Sequence, residues 1–199
     1  MTDYKFTKDW FNWAPPVWEQ LIPLLPERKK FLEIGSFEGR STVWIVENMM
    51  EDGGEIYCID TWEGGEEHSE EDMAAVEARF DHNRQVLMDK FDYRHVTQAK
   101  GTSTEQLAGW LTSSPAPMGV FDFIYIDGSH TAPDVLTDAC MAWPLLKKGG
   151  IMVFDDYMWG PPRDVLHRPK VAIDAFCNIF AETARIVHVG YQLVVRKEA

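Results

Sequence analysis

The amino-acid sequence predicts an α/β fold: a doubly wound, mostly parallel sheet of seven strands with an antiparallel hairpin at its C-terminal end. Three observations predict it. Short apolar runs alternate with helix-period segments along the chain, the pattern of repeated β–α units. The run FDFIYI at 121–126 is apolar or aromatic almost throughout, as a central strand covered on both faces requires. The first apolar run leads through Gly35 and Gly39 straight into a helical pattern. No repeat, low-complexity tract or Gly/Ser linker divides the chain. Residues 1–199 therefore read as one domain, with an aromatic helical segment or lid at 1–29.

Pro15 and Pro16 open a helix over 15–25, since proline suits a first helical turn. The first strand is 31–34, with a helix over 40–50 after it, and the second strand is 55–60. An acidic stretch at 63–72 leads into a helix carrying Val76, Phe80, Val86 and Leu87. A weaker third strand covers 93–97. Thr102 and Glu105 have the spacing of a capping box and open a helix ending near Trp110. The fourth strand, 121–126, is followed by a helix over 132–146 that Lys147, Lys148, Gly149 and Gly150 stop. The fifth strand is 151–154, and a helix spans 171–181. Strands at 184–188 and 191–196 form the hairpin around Gly190.

Lys and Arg number 19 against 32 Asp and Glu, a formal charge of −13. Phosphate backbones and anionic bilayers are bound through cationic side chains, so this balance argues against nucleic-acid and membrane partners. The longest apolar runs are about six residues, against the roughly 20 that span a bilayer. Asp3, Lys5, Lys8 and Asp9 interrupt the N-terminus where a signal peptide has its apolar stretch. A cytoplasmic protein is expected. Cys58, Cys140 and Cys177 are odd in number, far apart and set in apolar runs, so they read as small buried hydrophobes in a reducing compartment. Trp10, Trp13 and Trp18 crowd the first eighteen residues.

After the first strand comes Glu33-Ile-Gly35-Ser-Phe-Glu-Gly39-Arg-Ser41. Glycines let the backbone turn sharply there and approach a ligand, and the helix start offers free N–H donors. A nicotinamide-binding fingerprint would need glycines at 37 and 40, where Phe37 and Arg40 stand. Glu33 can instead accept from an ammonium and Ser41 donate to a carboxylate, which together fit an amino-acid ligand. Asp60 ends the second strand, where a ribose diol is usually gripped, and Trp62 beside it can pack on a base.

With LEIG and G-R-S at the first turn, CIDTW at the second, FDFIYIDGSH at the fourth and GGIMVFDDY at the fifth, residues 30–196 resemble the class I S-adenosylmethionine-dependent methyltransferases. The similarity is greatest to small O-methyltransferases of the catechol and macrocin types. It implies a Rossmann-like sheet that binds S-adenosyl-L-methionine. The residues it implies for that cofactor are Glu33, Gly35, Ser36, Phe37, Gly39 and Ser41, then Asp60, Thr61 and Trp62, with Asp127 after strand four. Gly101, Thr102 and Ser103 border the adenine by the same resemblance.

Asp127 ends strand four, and Asp155 and Asp156 end strand five, where strand ends of an open sheet converge on the ligand crevice. Three carboxylates there repel one another unless a cation neutralises them. An all-oxygen set suits Mg2+, or Ca2+ or Mn2+, better than zinc. Such an ion acidifies a substrate hydroxyl. In catechol O-methyltransferase-like enzymes the corresponding acids hold the metal, which implies Asp127, Asp155 and Asp156 as ligands. Those enzymes have a lysine base three residues after the first Asp; this sequence has His130 there, an imidazole suited to the same role. Asp127 and His130 are thus the expected catalytic pair. The plainer readings are a helix cap or loop residue for each acid, and for His130 a hydrogen-bond partner of a carboxylate.

Trp10, Phe11, Trp13, Trp18 and Trp159, with Pro161 and Pro162, read either as a hydrophobic cover on the sheet edge or as an aromatic wall for a flat or glycosidic substrate. Arg163, His167 and Arg168, in the loop after strand five, read either as surface charges or as partners of an acidic substrate. The expected function is metal-assisted O-methylation of a small-molecule hydroxyl. Its alternatives are metal-independent methylation of nitrogen, carbon or carboxylate, a nicotinamide oxidoreductase, a non-catalytic nucleotide-binding module and, by resemblance alone, a hydroxylase of cephalosporin type. A homodimer and an acidic monomer are both allowed.

Overall fold

A computed structural model describes residues 3–65, 68–160 and 164–198. Seven strands form one sheet in the order β3-β2-β1-β4-β5-β7-β6. They are β1 (Lys30–Ile34), β2 (Glu55–Asp60), β3 (His95–Lys100), β4 (Phe121–Ile126), β5 (Leu146–Phe154), β6 (Ala184–Val189) and β7 (Leu193–Lys197). The first five run parallel, and β7 is antiparallel to both β5 and β6. The strand order reverses direction at β1, whose neighbours are β2 and β4. That places a crevice beyond the C-terminal ends of β1 and β4.

Side chains alternate between the two faces, and each face carries its own core. Leu32, Ile34, Ile124, Ile126, Met152 and Phe154 pack against α4 (Ser103–Thr112), α5 (Ala132–Ala142) and α6 (Pro169–Ile179). On the other side Phe31, Phe123, Tyr125, Ile151 and Val153 meet α1 (Pro15–Leu21), α2 (Arg40–Trp44) and α3 (Met73–Lys90). Burying a side chain of this size contributes about 1.5–3 kcal/mol. At the opposite edge from the crevice, buried Asp122 accepts from the backbone N–H groups of Lys29 and Lys30 and from Lys147 Nζ.

Several boundaries differ from the sequence expectation for local reasons. α1 stops at Leu21 and passes into a 3₁₀ turn, Ile22–Leu24, because Pro23 has no N–H to continue the α-ladder. The helix expected over 40–50 is α-helical only to Trp44; Ile45–Met49 is a π turn, and Met50 N donates to Ile45 O at 2.9 Å. The third strand lies at His95–Lys100, fixed by its pairing of His95 with Glu55 and Lys100 with Asp60. α5 ends at Ala142, followed by a 3₁₀ turn at Pro144. The Lys-Lys-Gly-Gly segment then belongs to β5, as an irregularity between the Phe121–Leu146 and Phe123–Ile151 pairs. Capping by Asp72 on Ala75 N starts α3, whose buried stripe is Val76, Phe80, Asn83 and Leu87; Val86 is only half-buried. Cys58 is buried as expected, whereas Cys177 is half-buried and Cys140 sits on the exposed side of α5. Trp18 is core rather than an edge cover, fully buried against Phe123 and Tyr125, whereas Trp10 is exposed and Trp13 half-buried. No helix among the described residues is long and apolar enough to cross a membrane.

Candidate functional site

The strand ends are laced together beyond the sheet proper. Gly35 N donates to Ile59 O at 2.8 Å, Asp127 N to Ile34 O at 2.8 Å, Asp155 N to Ile126 O at 2.9 Å and Gly101 N to Asp60 O at 2.9 Å. The loops after β1, β2, β3, β4 and β5 thus start from one common edge. Gly35 has φ +84°, and a Cβ there would meet the Asp127 carbonyl oxygen at 1.9 Å. Only glycine fits between the two loops.

Glu33, fully buried at the end of β1, accepts from Ser36 Oγ at 2.7 Å, Ser41 Oγ at 2.6 Å and Thr42 Oγ1. Burial pushes its carboxyl above the usual range, while the three hydroxyls oppose that shift. Glu33 and Ser41, expected to meet the two ends of an amino acid, are here engaged with each other and shape the loop. Asp60 also serves the loop: Oδ2 accepts from Ser36 N and Phe37 N, each at 2.9 Å, and Oδ1 from Trp62 N at 2.7 Å. A carboxylate has about four acceptor sites, so Asp60 keeps room for one more donor.

The expectation that Trp62 lies on a base meets a ring already covered. Trp62 is 3% exposed, packs on Phe80 with centroids 4.8 Å apart, and donates its indole N–H to Phe37 O at 2.9 Å. Thr61 Oγ1 accepts from Glu63 N at 3.1 Å. Thr102 and Glu105 form the expected capping box at the start of α4, which places Gly101, Thr102 and Ser103 beside the end of β2.

The acids converge, with one change to the expected set. Donor atoms of Asp127, His130 and Asp156 lie within 4.8 Å of one another. His130 Nε2 is 2.6 Å from Asp156 Oδ2, and Tyr191 donates its hydroxyl to Asp156 Oδ1 at 2.8 Å. Asp155, expected in the ligand set, is turned behind this group. Its Oδ2 accepts from Tyr125 and from Gln192 Nε2 at 3.2 Å, and its Oδ1 from Asp156 N at 2.7 Å. Asp156, whose backbone is left-handed at φ +54°, presents its carboxyl to His130 and Tyr191 instead.

The Tyr125 hydroxyl is also 2.9 Å from Asp127 Oδ2. One hydroxyl hydrogen therefore serves two half-buried carboxylates; Asp155 has Gln192 Nε2 and Asp156 N besides, which leaves Asp127 with acceptor capacity that a cation can take. Burial first, then Asp155 and Asp156, pushes the Asp127 carboxyl well up; burial and Asp156 push Asp155 up to about 6. This donor set fits a hard or borderline divalent cation, with Asp127 and Asp156 as oxygen ligands and His130 in reach as a nitrogen ligand.

Three non-glycine residues have positive φ: Phe37, Trp62 and Asp156 at +49°, +50° and +54° among the described residues. They follow β1, β2 and β5 at the crevice, where a strained backbone marks a site that the surrounding fold over-determines. The aromatic residues divide. Trp159 lies against His130 with centroids 4.4 Å apart, and Trp13 against Tyr191 at 4.8 Å. Trp10 lies over Phe37 at 5.1 Å, beside His68. Phe11 packs inward on Trp18. His167 is paired with Asp164 at the surface. Glu66, Glu67, Pro161, Pro162 and Arg163 lie outside the described residues.

Sequence reasoning missed Tyr125, Gln192 and Tyr191. Tyr125 had one usable signal: it precedes Asp127 by two residues, which puts both on one side of a strand.

A family model described as "Methyltransferase domain" matches residues 32–157, from β1 to just past the acids after β5. Solved structures of the same fold include a Klebsiella pneumoniae protein described as a candidate O-methyltransferase, with 19% identity and a TM-score of 0.63 over 92% of this chain and 77% of that one. The MycE methyltransferase from the mycinamycin biosynthetic pathway, solved with Mg and SAH, has 16% identity and a TM-score of 0.61 over 96% of this chain and 51% of its own. A candidate rRNA-methylase from Clostridium thermocellum has 11% identity and a TM-score of 0.66, with 98% and 99% covered. The chain belongs to this methyltransferase family and is a class I, S-adenosylmethionine-dependent member of it.

Proposed function

We propose that the protein methylates a hydroxyl of a small molecule, with a divalent cation held at the acid cluster. The observation that carries the reading is the convergence of Asp127, His130 and Asp156 at the edge where Gly35 abuts the β4 loop. The donor's methionine end would lie on the loop of Gly35, Ser36, Phe37 and Gly39, over the Glu33–Ser41 pair. Asp60 and Thr61 would take the ribose, through the one acceptor site Asp60 has left. Gly101, Thr102 and Ser103 would border the adenine, with Asp127 between donor and acceptor.

Asp127 and Asp156 would hold the cation, with Asp155 behind them. A bound cation supplies Lewis acidity to the acceptor hydroxyl. His130, oriented by its Nε2–H contact with Asp156, takes the hydroxyl proton on its other ring nitrogen. Trp159, Tyr191 and Trp13 frame the acceptor and exclude water from it. Fixing acceptor oxygen and methyl group in line provides the remaining rate through proximity. MycE, solved with Mg and SAH, supports the cation and the donor; the net charge of −13 argues against an RNA acceptor despite the rRNA-methylase likeness. We place this chemistry in one domain within the cytoplasm.

One feature favours transfer without a cation: Asp156 already has two protein partners, His130 and the Tyr191 hydroxyl. Chelation separates the two. Turnover of S-adenosylmethionine with a panel of phenolic and sugar hydroxyl acceptors should collapse after exhaustive EDTA treatment and return with Mg2+. Full turnover after chelation would establish the cation-free reading.

A further inference from the structure

Gln192 links the N-terminal helix to the acid cluster. It lies in the turn between β6 and β7, is fully buried, and accepts from Trp18 Nε1 through its Oε1 at 2.7 Å. An indole N–H can only donate, so the amide oxygen must face Trp18 and the amide NH2 must face away from it. What it faces is Asp155 Oδ2, at 3.2 Å. Trp18 is itself fully buried, wedged edge-on against Phe11, Trp44, Phe123 and Tyr125, so its N–H has one direction available.

We propose that Gln192, with its amide orientation set by Trp18, is a positioning residue that holds the Asp155–Tyr125–Asp127 array in the geometry that binds a divalent cation. This rests on the reading of the acid cluster as a cation site. Asp155 accepts three donors: Gln192 Nε2, the Tyr125 hydroxyl and Asp156 N. The first of these fixes the tilt of the carboxylate plane. That tilt decides where Tyr125 holds its oxygen, 2.9 Å from Asp127 Oδ2. It also keeps Oδ1 on Asp156 N, which braces the left-handed turn that aims the Asp156 side chain at His130. A purely structural role, satisfying the buried Trp18 N–H, would show in Gln192→Met as lost stability with Mn2+ affinity unchanged.

The test is calorimetric titration of the full chain with Mn2+ alone, on the parent, Gln192→Met, Trp18→Phe and Asp127→Asn. S-adenosylhomocysteine affinity and melting temperature are measured on each. The parent should bind Mn2+ and Asp127→Asn should not. Gln192→Met should weaken Mn2+ at least tenfold while S-adenosylhomocysteine affinity stays within twofold. Trp18→Phe, which deletes the N–H and keeps most of the ring, should weaken Mn2+ about threefold or more, and it decides the matter if Gln192→Met fails to fold. Mn2+ affinity within twofold of the parent in the folded variant overturns the positioning role and leaves the cation site standing. No Mn2+ binding by the parent overturns the site and the role together.

Discussion

Gly35 and Asp127 approach so closely that no side chain fits between them: a Cβ on Gly35 would stand 1.9 Å from the Asp127 carbonyl oxygen and 2.7 Å from Gly128 Cα. The obstacle is backbone that the β1–β4 ladder holds in place, so it cannot swing aside. Gly35→Ala must also adopt φ +84° with a side chain. Strain and overpacking together should cost about 2–5 kcal/mol, and lower the melting temperature by roughly 5–15 °C. Gly119→Ala is the control, since φ there is +61° with nothing within 4 Å, and it should cost only about 1 kcal/mol. Equal melting temperatures for the two variants would show that the two loops separate in solution.

Asp60 carries a compound prediction, because its carboxylate holds the loop that the cofactor needs. Asp60→Ala strips partners from Ser36 N, Phe37 N and Trp62 N together. Stability should fall by about 1–3 kcal/mol, and S-adenosylhomocysteine affinity at least tenfold. An affinity unchanged by calorimetry removes Asp60 from the ribose site.

His130 is tested by rate. Its Nε2 faces Asp156 at 2.6 Å and its ring lies on Trp159. His130→Gln should lower kcat by roughly 10²–10⁴-fold. The loss should be greatest at low pH, where an acceptor loses its proton least readily by itself. A pH–rate profile parallel to the parent's would exclude proton removal by His130.

Much of this was legible in the sequence because it is carried by local signals. FDFIYI marked the central strand, and Asp60, Asp127, Asp155 and Asp156 all fall at strand ends on one edge. What was not legible depends on contacts between distant parts of the chain. Gln192 and Trp18 are 174 residues apart, and no spacing rule joins them. Tyr125 reads as an ordinary strand aromatic until its hydroxyl is found between two carboxylates. Asp155 and Asp156 are indistinguishable as a sequence pair. Their partners separate them: Asp155 meets Tyr125 and Gln192, and Asp156 meets His130 and Tyr191. Trp62 was read as a ligand platform because its neighbour is Asp60, whereas Phe80 on α3 claims its ring.

Asp138 predicts a pH dependence of stability. It is buried on α5, and burial, opposed by the Ser103 hydroxyl, pushes its carboxyl up to about 6 from 3.8. A raised acid binds its proton more tightly in the folded chain than in the unfolded one. Its contribution to stability is therefore best below the unfolded value and is lost as pH rises to about 6. The loss amounts to about 3 kcal/mol. Asp138→Asn, which is neutral throughout, should exceed the parent in urea denaturation by up to that amount at pH 8 and by clearly less at pH 5. A difference that does not change between the two pH values would show that Asp138 is hydrated in solution.

Arg79 and Glu38 give the last prediction, at the strap that crosses the glycine loop. Glu38 is 2% exposed and accepts from Arg79 Nε, from Thr7 N at 2.6 Å and from Thr7 Oγ1 at 2.6 Å. Asn83 clamps the same strap through Lys5 N at 2.7 Å and Lys5 O at 2.9 Å. Arg79→Met leaves a buried carboxylate with neutral donors only, which should cost about 2–4 kcal/mol. Glu38→Gln removes the stranded charge, so the double variant should recover part of that loss, with a coupling of about 1–3 kcal/mol in the cycle. Strictly additive losses would mean that water screens the pair. In that case the strap would rest on Thr7 and Asn83 together with its remaining ties, Arg40 to Lys8 O and Asp9, and Lys8 to Glu71.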